Sequence, residues 1–226
     1  MLSPLSFLAI VDIGGGTSDF TLCDRKDGRT QVLASGGIRL GGTDFDKALS
    51  LNHAMPLLGY EAMIGAELGG KTHPAPRALF QDLASWEKIP FVYDAGLQRE
   101  VERWIRLARE PRLFERLAEV LESHLGHDVA YAVEAGKIAA NGKGAAEIAL
   151  HVVEKGLSAT LPVDALTAAL QGYAEEIATG ALETVKRAGC TPAEVDQIVY
   201  VGGSSLLSAV RYAMGRSFPD ATPVDA

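Results

Sequence analysis

Two short apolar stretches of this sequence each end in a run of glycines, and these endings restrict the fold more than any other feature. They are VDIGGGTSD at residues 11–19 and VYVGGSS at residues 199–205. A short apolar run that stops at glycine is typical of a buried strand followed by a tight turn. Glycine also lets a backbone approach a ligand closely, and converging N–H groups bind phosphate. Each loop is therefore either a simple turn or part of a phosphate cradle.

The rest of the pattern mixes strands with helices. Short apolar or alternating runs predict strands, and apolar spacing of three to four residues predicts helices. Thr43 follows two glycines and is the expected N-cap of the first helix, and Gly172 or Gly180 is expected to bend a later one. The predicted strands are 7–13, 17–23, 30–40, 147–153, 156–161 and 197–201, and the predicted helical regions are 78–141, 163–188 and a final helix after residue 205.

Composition and motif spacing exclude several function classes. The formal net charge of −8 argues against sequence-independent nucleic-acid binding, which needs clustered Lys and Arg. No apolar run approaches the roughly 18 residues that a membrane helix requires. The two cysteines, Cys23 and Cys190, lie far apart and suit a reduced compartment, so a cytoplasmic location is expected. Neither glycine loop has GxxxxGK[ST] or GxGxxG spacing, which disfavours P-loop and dinucleotide-binding folds.

Polar side chains that could bind a metal ion or orient water surround the first loop. Asp12 and Asp19 bracket it, and Thr17 lies within it. A carboxylate beside bound phosphates can hold Mg²⁺, usually through water, and the Thr17 hydroxyl can contact a terminal phosphate or orient water. Aspartates also commonly satisfy amide groups in turns. From the residues alone, both interpretations stay open.

Four segments, in order along the chain, resemble motifs of the DnaK-type heat-shock chaperones of the actin-like ATPase superfamily. The middle of the chain, with MPLLGY and FQDLASWEKIP, is most similar to the YegD-like group of short chaperone homologues. The four segments are VDIGGGTSDFTL at 11–22, GGIRLGGTDFD at 36–46, AVEAGKIAA at 132–140 and IVYVGGSSLLSAVR at 198–211.

The resemblance implies an α/β fold, namely a ribonuclease-H-like lobe of an actin-like ATPase with a mixed sheet and flanking helices. Residues 1–55 and 160–226 are expected to form the core of the family's second lobe. Residues 56–159 are expected to form a mainly helical inserted subdomain that carries the adenosine-contacting helix.

The resemblance also implies roles for individual residues. Thr17, Asp12 and Asp19 would be catalytic, with Asp12 acting on Mg²⁺ through water. The arginines that pack near adenine in the family are replaced by Ile138 and Leu206. The implied nucleotide-binding residues are Gly14, Gly15, Gly16, Thr17, Gly42, Glu134, Lys137, Gly202, Gly203 and Ser204. Without the resemblance, Glu134 and Lys137 would be interpreted as a solvated pair on one helix face.

The implied function is an ATP-binding lobe of a heat-shock-chaperone-like ATPase, with ATP or ADP and Mg²⁺ as cofactors. The expected partners are a missing first ATPase lobe, unfolded clients or co-chaperones, and a second copy of this chain that docks at the cleft-facing surface or at a sheet edge formed by 7–13. Neither nucleic acid nor membrane is expected as a partner, and the lobe alone is expected to be inactive. Two alternatives stay open: a nucleotide-dependent scaffold without hydrolysis, suggested by Ile138 and Leu206, and a sugar-kinase-like phosphotransferase.

Overall fold

The computed structural model describes residues 6–26, 29–66 and 70–226. The chain divides into two compact units. The first unit comprises the residues up to Phe45 together with Thr167–Ala226, and the second comprises Asp46–Leu166. In chain order the elements are β1 (Ser6–Ile13), β2 (Ser18–Lys26), β3 (Arg29–Ile38), α1 (Gly42–Leu49), β4 (Met63–Ile64), β5 (His73–Pro74), α2 (Arg77–Leu83), α3 (Ala95–Leu107), α4 (Pro111–Glu122), α5 (Gly126–Lys143), β6 (Ala145–Ala149), β7 (Ser158–Pro162), α6 (Val163–Arg187), β8 (Val195–Val201), α7 (Ser208–Ser217) and β9 (Thr222–Asp225).

The first unit is built on a five-stranded sheet with strand order β3-β2-β1-β8-β9. The pairs β1–β2 and β2–β3 are antiparallel, whereas β1–β8 and β8–β9 are parallel, so the sheet is mixed. Alternate residues of β1, namely Ala9, Val11 and Ile13, are buried, as expected for a strand with one face in the core. The predicted α/β class, a mixed sheet with helices, is confirmed.

The position of β1 corrects one expectation. Because β1 pairs with β2 on one side and with β8 on the other, residues 7–13 do not form a sheet edge. The edge strands in the described part of this sheet are β3 and β9. A dimer through the 7–13 edge is therefore excluded, since its backbone groups are already paired.

The long helix α6 continues without interruption through both glycines that were expected to bend it. Gly172 is exposed, and a Cβ there would meet nothing within 4 Å. A Cβ at Gly180 would lie 2.5 Å from Cε2 of Phe20 on β2. Gly180 therefore allows the helix backbone to pack closely against this phenylalanine, while the expected bend stays a prediction.

The second unit is mainly helical. The apolar faces of α3 and α4 bury Trp104 and Phe114, whose ring centroids are 5.8 Å apart. An antiparallel hairpin, β6–β7, and a two-residue pairing of β4 with β5 complete the unit. No helix within the described ranges combines the length and apolar character required to cross a membrane.

Candidate functional site

The first glycine loop is the tip of the β1–β2 hairpin. The N–H of Gly14 donates to the carbonyl oxygen of Thr17 at 2.9 Å, which closes the turn. Gly15 and Gly16 are exposed, and a Cβ on either would meet nothing within 4 Å. In the described part of the chain, neither of their N–H groups donates a hydrogen bond. The tip therefore carries two exposed glycines whose backbone N–H groups have no acceptor in the described part of the chain.

The start of α1 packs directly against this tip. The N–H groups of Gly42 and Thr43 donate to the carbonyl oxygens of Gly14 and Gly15 at 2.9 and 2.7 Å. A Cβ at Gly41 would lie 2.6 Å from the oxygen of Gly15. Because real Cβ atoms do not approach an oxygen this closely, only glycine fits at position 41 without a backbone shift.

The capping of α1 differs from the prediction. The hydroxyl of Thr43 donates to the carbonyl oxygen of Gly15 at 2.9 Å, so it secures the hairpin tip. The carboxylate of Asp44 accepts from the N–H of Gly41 at 2.9 Å instead. The expectation that Thr43 is the N-cap is therefore wrong, and its side chain links two glycine segments.

The second glycine loop reaches the same place from β8. Gly202 has φ of +82°, and a Cβ there would lie 2.3 Å from the oxygen of Ile13. A Cβ at Gly42 would lie 2.7 Å from Oγ of Ser204, while Gly203 has open space around its Cβ position. Three segments of the first unit thus converge, and we call residues 14–17, 41–43 and 202–205 the glycine cradle.

Two carboxylates flank the glycine cradle. Asp12 and Asp19 are directly opposite each other in the β1–β2 register, and both are exposed. The hydroxyl of Thr17 donates to Asp19 at 3.2 Å, and neither aspartate pairs with Lys or Arg among the described residues. Like charges at facing positions destabilise a sheet. Among the described residues there is no group of three or more His, Cys, Asp or Glu side chains that could hold a metal ion.

Arg211 on α7 is a further residue of this region, and the sequence reasoning missed it. Its Nε donates to the carbonyl oxygen of Ser205 at 2.9 Å, and its guanidinium lies 3.7 Å from the ring centroid of Tyr200. It also pairs with Asp225 on β9. Burial raises the pKa of Tyr200, an effect that Arg211 opposes and Asp225 adds to. Arg211 therefore joins the second glycine loop to β8 and β9.

The two predicted adenosine contacts lie on α5 of the second unit and have different environments. Glu134 is exposed, whereas the side chain of Lys137 is only 5% exposed. Nζ of Lys137 forms an ion pair with Oδ1 of Asp46 at 2.8 Å. Burial raises the pKa of Asp46, with Lys137 opposing the shift and Glu134 adding to it. Asp46 was not predicted, although it ends the quoted segment GGIRLGGTDFD.

Comparison with known proteins gives two matches. Residues 6–66 match the family model described as Hsp70 protein. A curated relative, the chaperone protein HscA homolog of Vibrio parahaemolyticus, is 36% identical over 98 residues, which are 43% of this chain and 14% of the relative. The chain thus aligns with a small part of that chaperone. Both matches confirm the resemblance to the heat-shock chaperone family, while the closer likeness to the YegD-like group stays a prediction.

Proposed function

Because its sequence is of the Hsp70 chaperone type, we propose that this chain binds ATP or ADP with Mg²⁺ through the glycine cradle. The observation that carries this proposal is the convergence of three glycine segments in the first unit. Gly41 and Gly202 leave no room for a Cβ, because other protein backbone lies there. Gly15, Gly16 and Gly203 face open space instead, which is the condition for a ligand to approach the backbone.

In this proposal, different residues of the first unit bind the phosphates, orient the attacking water and hold Mg²⁺. The N–H groups of Gly15 and Gly16 donate to oxygens of the β- and γ-phosphates. Gly203 and Ser204 cover the α-phosphate and sugar, and the Thr17 hydroxyl orients the attacking water. Asp12 holds Mg²⁺ through water with the help of Asp19, since Mg²⁺ keeps much of its hydration in proteins. The ion supplies charge neutralisation for the phosphates when it is bound.

For the nucleoside we propose contacts from Glu134 and Lys137, whose carboxylate and ammonium groups can accept from and donate to ribose hydroxyls. Base selectivity is proposed to be weak, because Ile138 and Leu206 stand where the family has arginines that pack near adenine. Ile138 is 63% exposed and Leu206 52% exposed, so each presents apolar surface. Apolar surface contacts any base and distinguishes adenine from guanine poorly.

The activity of the whole protein is proposed as slow, chaperone-type ATP hydrolysis that unfolded clients or co-chaperones regulate. The matched region spans 14% of the curated relative, so this activity and these partners extend beyond what the match covers. A cytoplasmic location is proposed with it, on the grounds that the two free cysteines suit a reducing compartment.

Titration of the chain with a fluorescent ADP analogue and Mg²⁺ tests this proposal. We expect saturable binding that weakens about tenfold or more in Gly16→Val, because the new side chain fills the space in front of the loop. Gly215→Val on α7 is the matched control, since its Cβ position is also open and lies outside the cradle. Absence of binding, or equal affinity in wild type and Gly16→Val, contradicts the proposal.

A nucleotide-dependent scaffold is the second candidate, and the exposed Ile138 and Leu206 favour it. A scaffold would use nucleotide binding alone to set its conformation. Nucleotide binding by the full-length protein without phosphate release would support this candidate over an ATPase.

A further inference from the structure

Arg211 lies where the helix dipole disfavours a positive charge. It is the fourth residue of α7, in the first turn, and the dipole favours anions at that end of a helix. An arginine at this position is therefore expected to serve contacts outside α7. Its guanidinium donates from Nε to the carbonyl oxygen of Ser205, stacks 3.7 Å from the ring centroid of the buried Tyr200 and pairs with Asp225. Only a planar guanidinium can stack with its face while its edge donates.

Ser205, the acceptor of the Arg211 hydrogen bond, closes the turn that begins at Gly202. The N–H and the hydroxyl of Ser205 both donate to the carbonyl oxygen of Gly202, at 3.1 and 2.7 Å, and Ser205 is buried. Gly202 packs so closely on β1 that a Cβ there would lie 2.3 Å from a backbone oxygen of that strand. One end of the turn is thus held by β1 and the other by Arg211. Gly203 lies between these ends, exposed and with open space at its Cβ position.

We propose that Arg211 is a positioning residue for the nucleotide, which fixes the turn at residues 202–205 in the shape that receives the α-phosphate and sugar. This rests on the proposed function, in which this turn covers those groups. A loop that is ordered before binding loses less conformational entropy when the ligand arrives, so it binds more tightly. Arg211 acts through Ser205 and not by attracting phosphate, because Asp225 already offsets its charge. All these residues belong to the first unit.

Two measurements on the intact chain test this inference. Hydrogen exchange of the ligand-free protein reports whether the turn is held, and titration with a fluorescent ADP analogue and Mg²⁺ reports affinity. Arg211→Met removes the guanidinium but keeps an apolar side chain of similar length. We expect it to exchange amide hydrogens faster at residues 202–207, with no change at residues 14–17. Its dissociation constant for the ADP analogue is expected to rise about tenfold.

Arg216→Met on the same helix is the matched control. Arg216 is exposed, and its guanidinium lies 5.9 Å from the ring centroid of Tyr212, so its loss should leave both measurements unchanged. Urea denaturation establishes that each variant is folded under the conditions of measurement. If Arg211→Met does not fold, Arg211→Lys takes its place, since lysine retains the charge and the apolar stem.

Two further variants separate position from charge. Arg211→Lys keeps the positive charge but cannot stack and donate at once, so it should bind the ADP analogue as weakly as Arg211→Met. Asp225→Asn leaves the hydrogen bond from Arg211 to Ser205 in place. Its affinity should stay within about threefold of wild type, as expected for the loss of an ion pair with an exposed carboxylate. Affinity that follows charge instead, with Arg211→Lys like wild type and Asp225→Asn weakened, contradicts the inference.

The outcomes distinguish this inference from the proposed function. If wild type does not bind the ADP analogue, the proposed function fails, and this inference fails with it. If wild type binds and the folded Arg211 variants bind equally well, Arg211 does not position the turn for the nucleotide, while nucleotide binding stands. Weaker binding with faster exchange throughout the chain assigns the effect to lost stability and also contradicts the inference. Weaker binding with faster exchange confined to residues 202–207 supports it.

Discussion

At the scale of single residues, the glycines of the cradle have two different functions. Gly41 and Gly202 lie where other backbone leaves no space for a side chain, and Gly202 also has φ of +82°. Gly15, Gly16 and Gly203 have no neighbour within 4 Å of their Cβ positions. The first kind is required for folding, and we expect the second kind to be required only when a ligand occupies the space.

Gly202→Ala is therefore expected to destabilise the protein. The new Cβ would lie 2.3 Å from the oxygen of Ile13, in a backbone conformation that L residues rarely adopt. The expected loss in free energy of unfolding is about 2–4 kcal/mol, from backbone strain and overpacking together. Urea denaturation of wild type, Gly202→Ala and the control Gly203→Ala measures it. Equal loss in both variants would show that the local geometry does not set the cost.

The sequence predicted the residues that lie within recognisable loops but missed those defined by tertiary contacts. Asp12, Thr17 and Asp19 could be selected because they flank a glycine run. Asp46 and Arg211 could not be selected from the sequence, because only the folded chain brings them to their partners. Asp46 pairs with Lys137, and Arg211 donates to the carbonyl oxygen of Ser205. The hydroxyl of Thr43 was misjudged for the same reason: its acceptor belongs to another segment.

At the scale of elements, α6 contains two glycines in different environments, one exposed and one packed against β2. Gly172→Leu is expected to stabilise the helix by about 1 kcal/mol, because glycine is a poor helix former and the site is exposed. Gly180→Leu is expected to cost about 1–3 kcal/mol, because its side chain would overlap Phe20. Urea denaturation compares the two variants with wild type. Changes of the same sign in both would contradict the close packing of α6 on β2.

The turn between β6 and β7 is connected to α4 by charge. Arg116 hydrogen-bonds Glu154, and Nη2 of Arg112 lies 3.2 Å from its other carboxylate oxygen. The hydrogen bond from Arg116, with help from Arg112, holds the pKa of Glu154 below its ordinary value. A lowered folded-state pKa stabilises the fold above the ordinary carboxyl pKa, and this contribution disappears as the pH falls through the lowered value.

Glu154→Gln is therefore expected to lower the urea midpoint most at neutral pH. The difference from wild type should shrink as the pH falls below 4.5, the ordinary pKa of this carboxyl, because Glu154 then becomes protonated in both folded and unfolded states. Denaturation curves from pH 3 to pH 7 measure this dependence. A difference that does not change with pH would assign the effect to packing.

The helices and strands that could be predicted are those whose pattern lies within a few consecutive residues. The strands of the first unit follow the apolar runs, and Pro111 opens α4 as proline at a helix start should. Thr191 and Glu194 form a capping box within four consecutive residues, with the Thr191 N–H donating to Glu194 at 2.7 Å. The strand β9 was missed, because its sequence TPVD contains proline and only pairing with β8 makes it a strand.

At the scale of the whole molecule, the mixed sheet of the first unit follows from where the apolar runs fall along the chain. A buried β1 pairs with β2 across a glycine-tipped hairpin, and β8 is added in parallel after the helical second unit. The α/β class and the mainly helical middle were predictable from these patterns. The strand order could not be predicted from them, because parallel pairing of β1 with β8 joins residues far apart in sequence.

The last prediction concerns turnover of ATP by this chain. The three segments of the glycine cradle contain no lysine or arginine, so their contribution to phosphate binding is backbone N–H groups and hydroxyls. Phosphoryl transfer depends on neutralising charge in the transition state, and loss of one positively charged group costs about 10³–10⁵ in rate in related chemistry. We expect MgATP to bind while phosphate release stays at the level of a protein-free blank. Phosphate release by repeatedly purified protein, with Thr17→Ala as the control, measures this. Turnover above the blank that Thr17→Ala abolishes would mean that the chain supplies the missing positive charge from outside the glycine cradle.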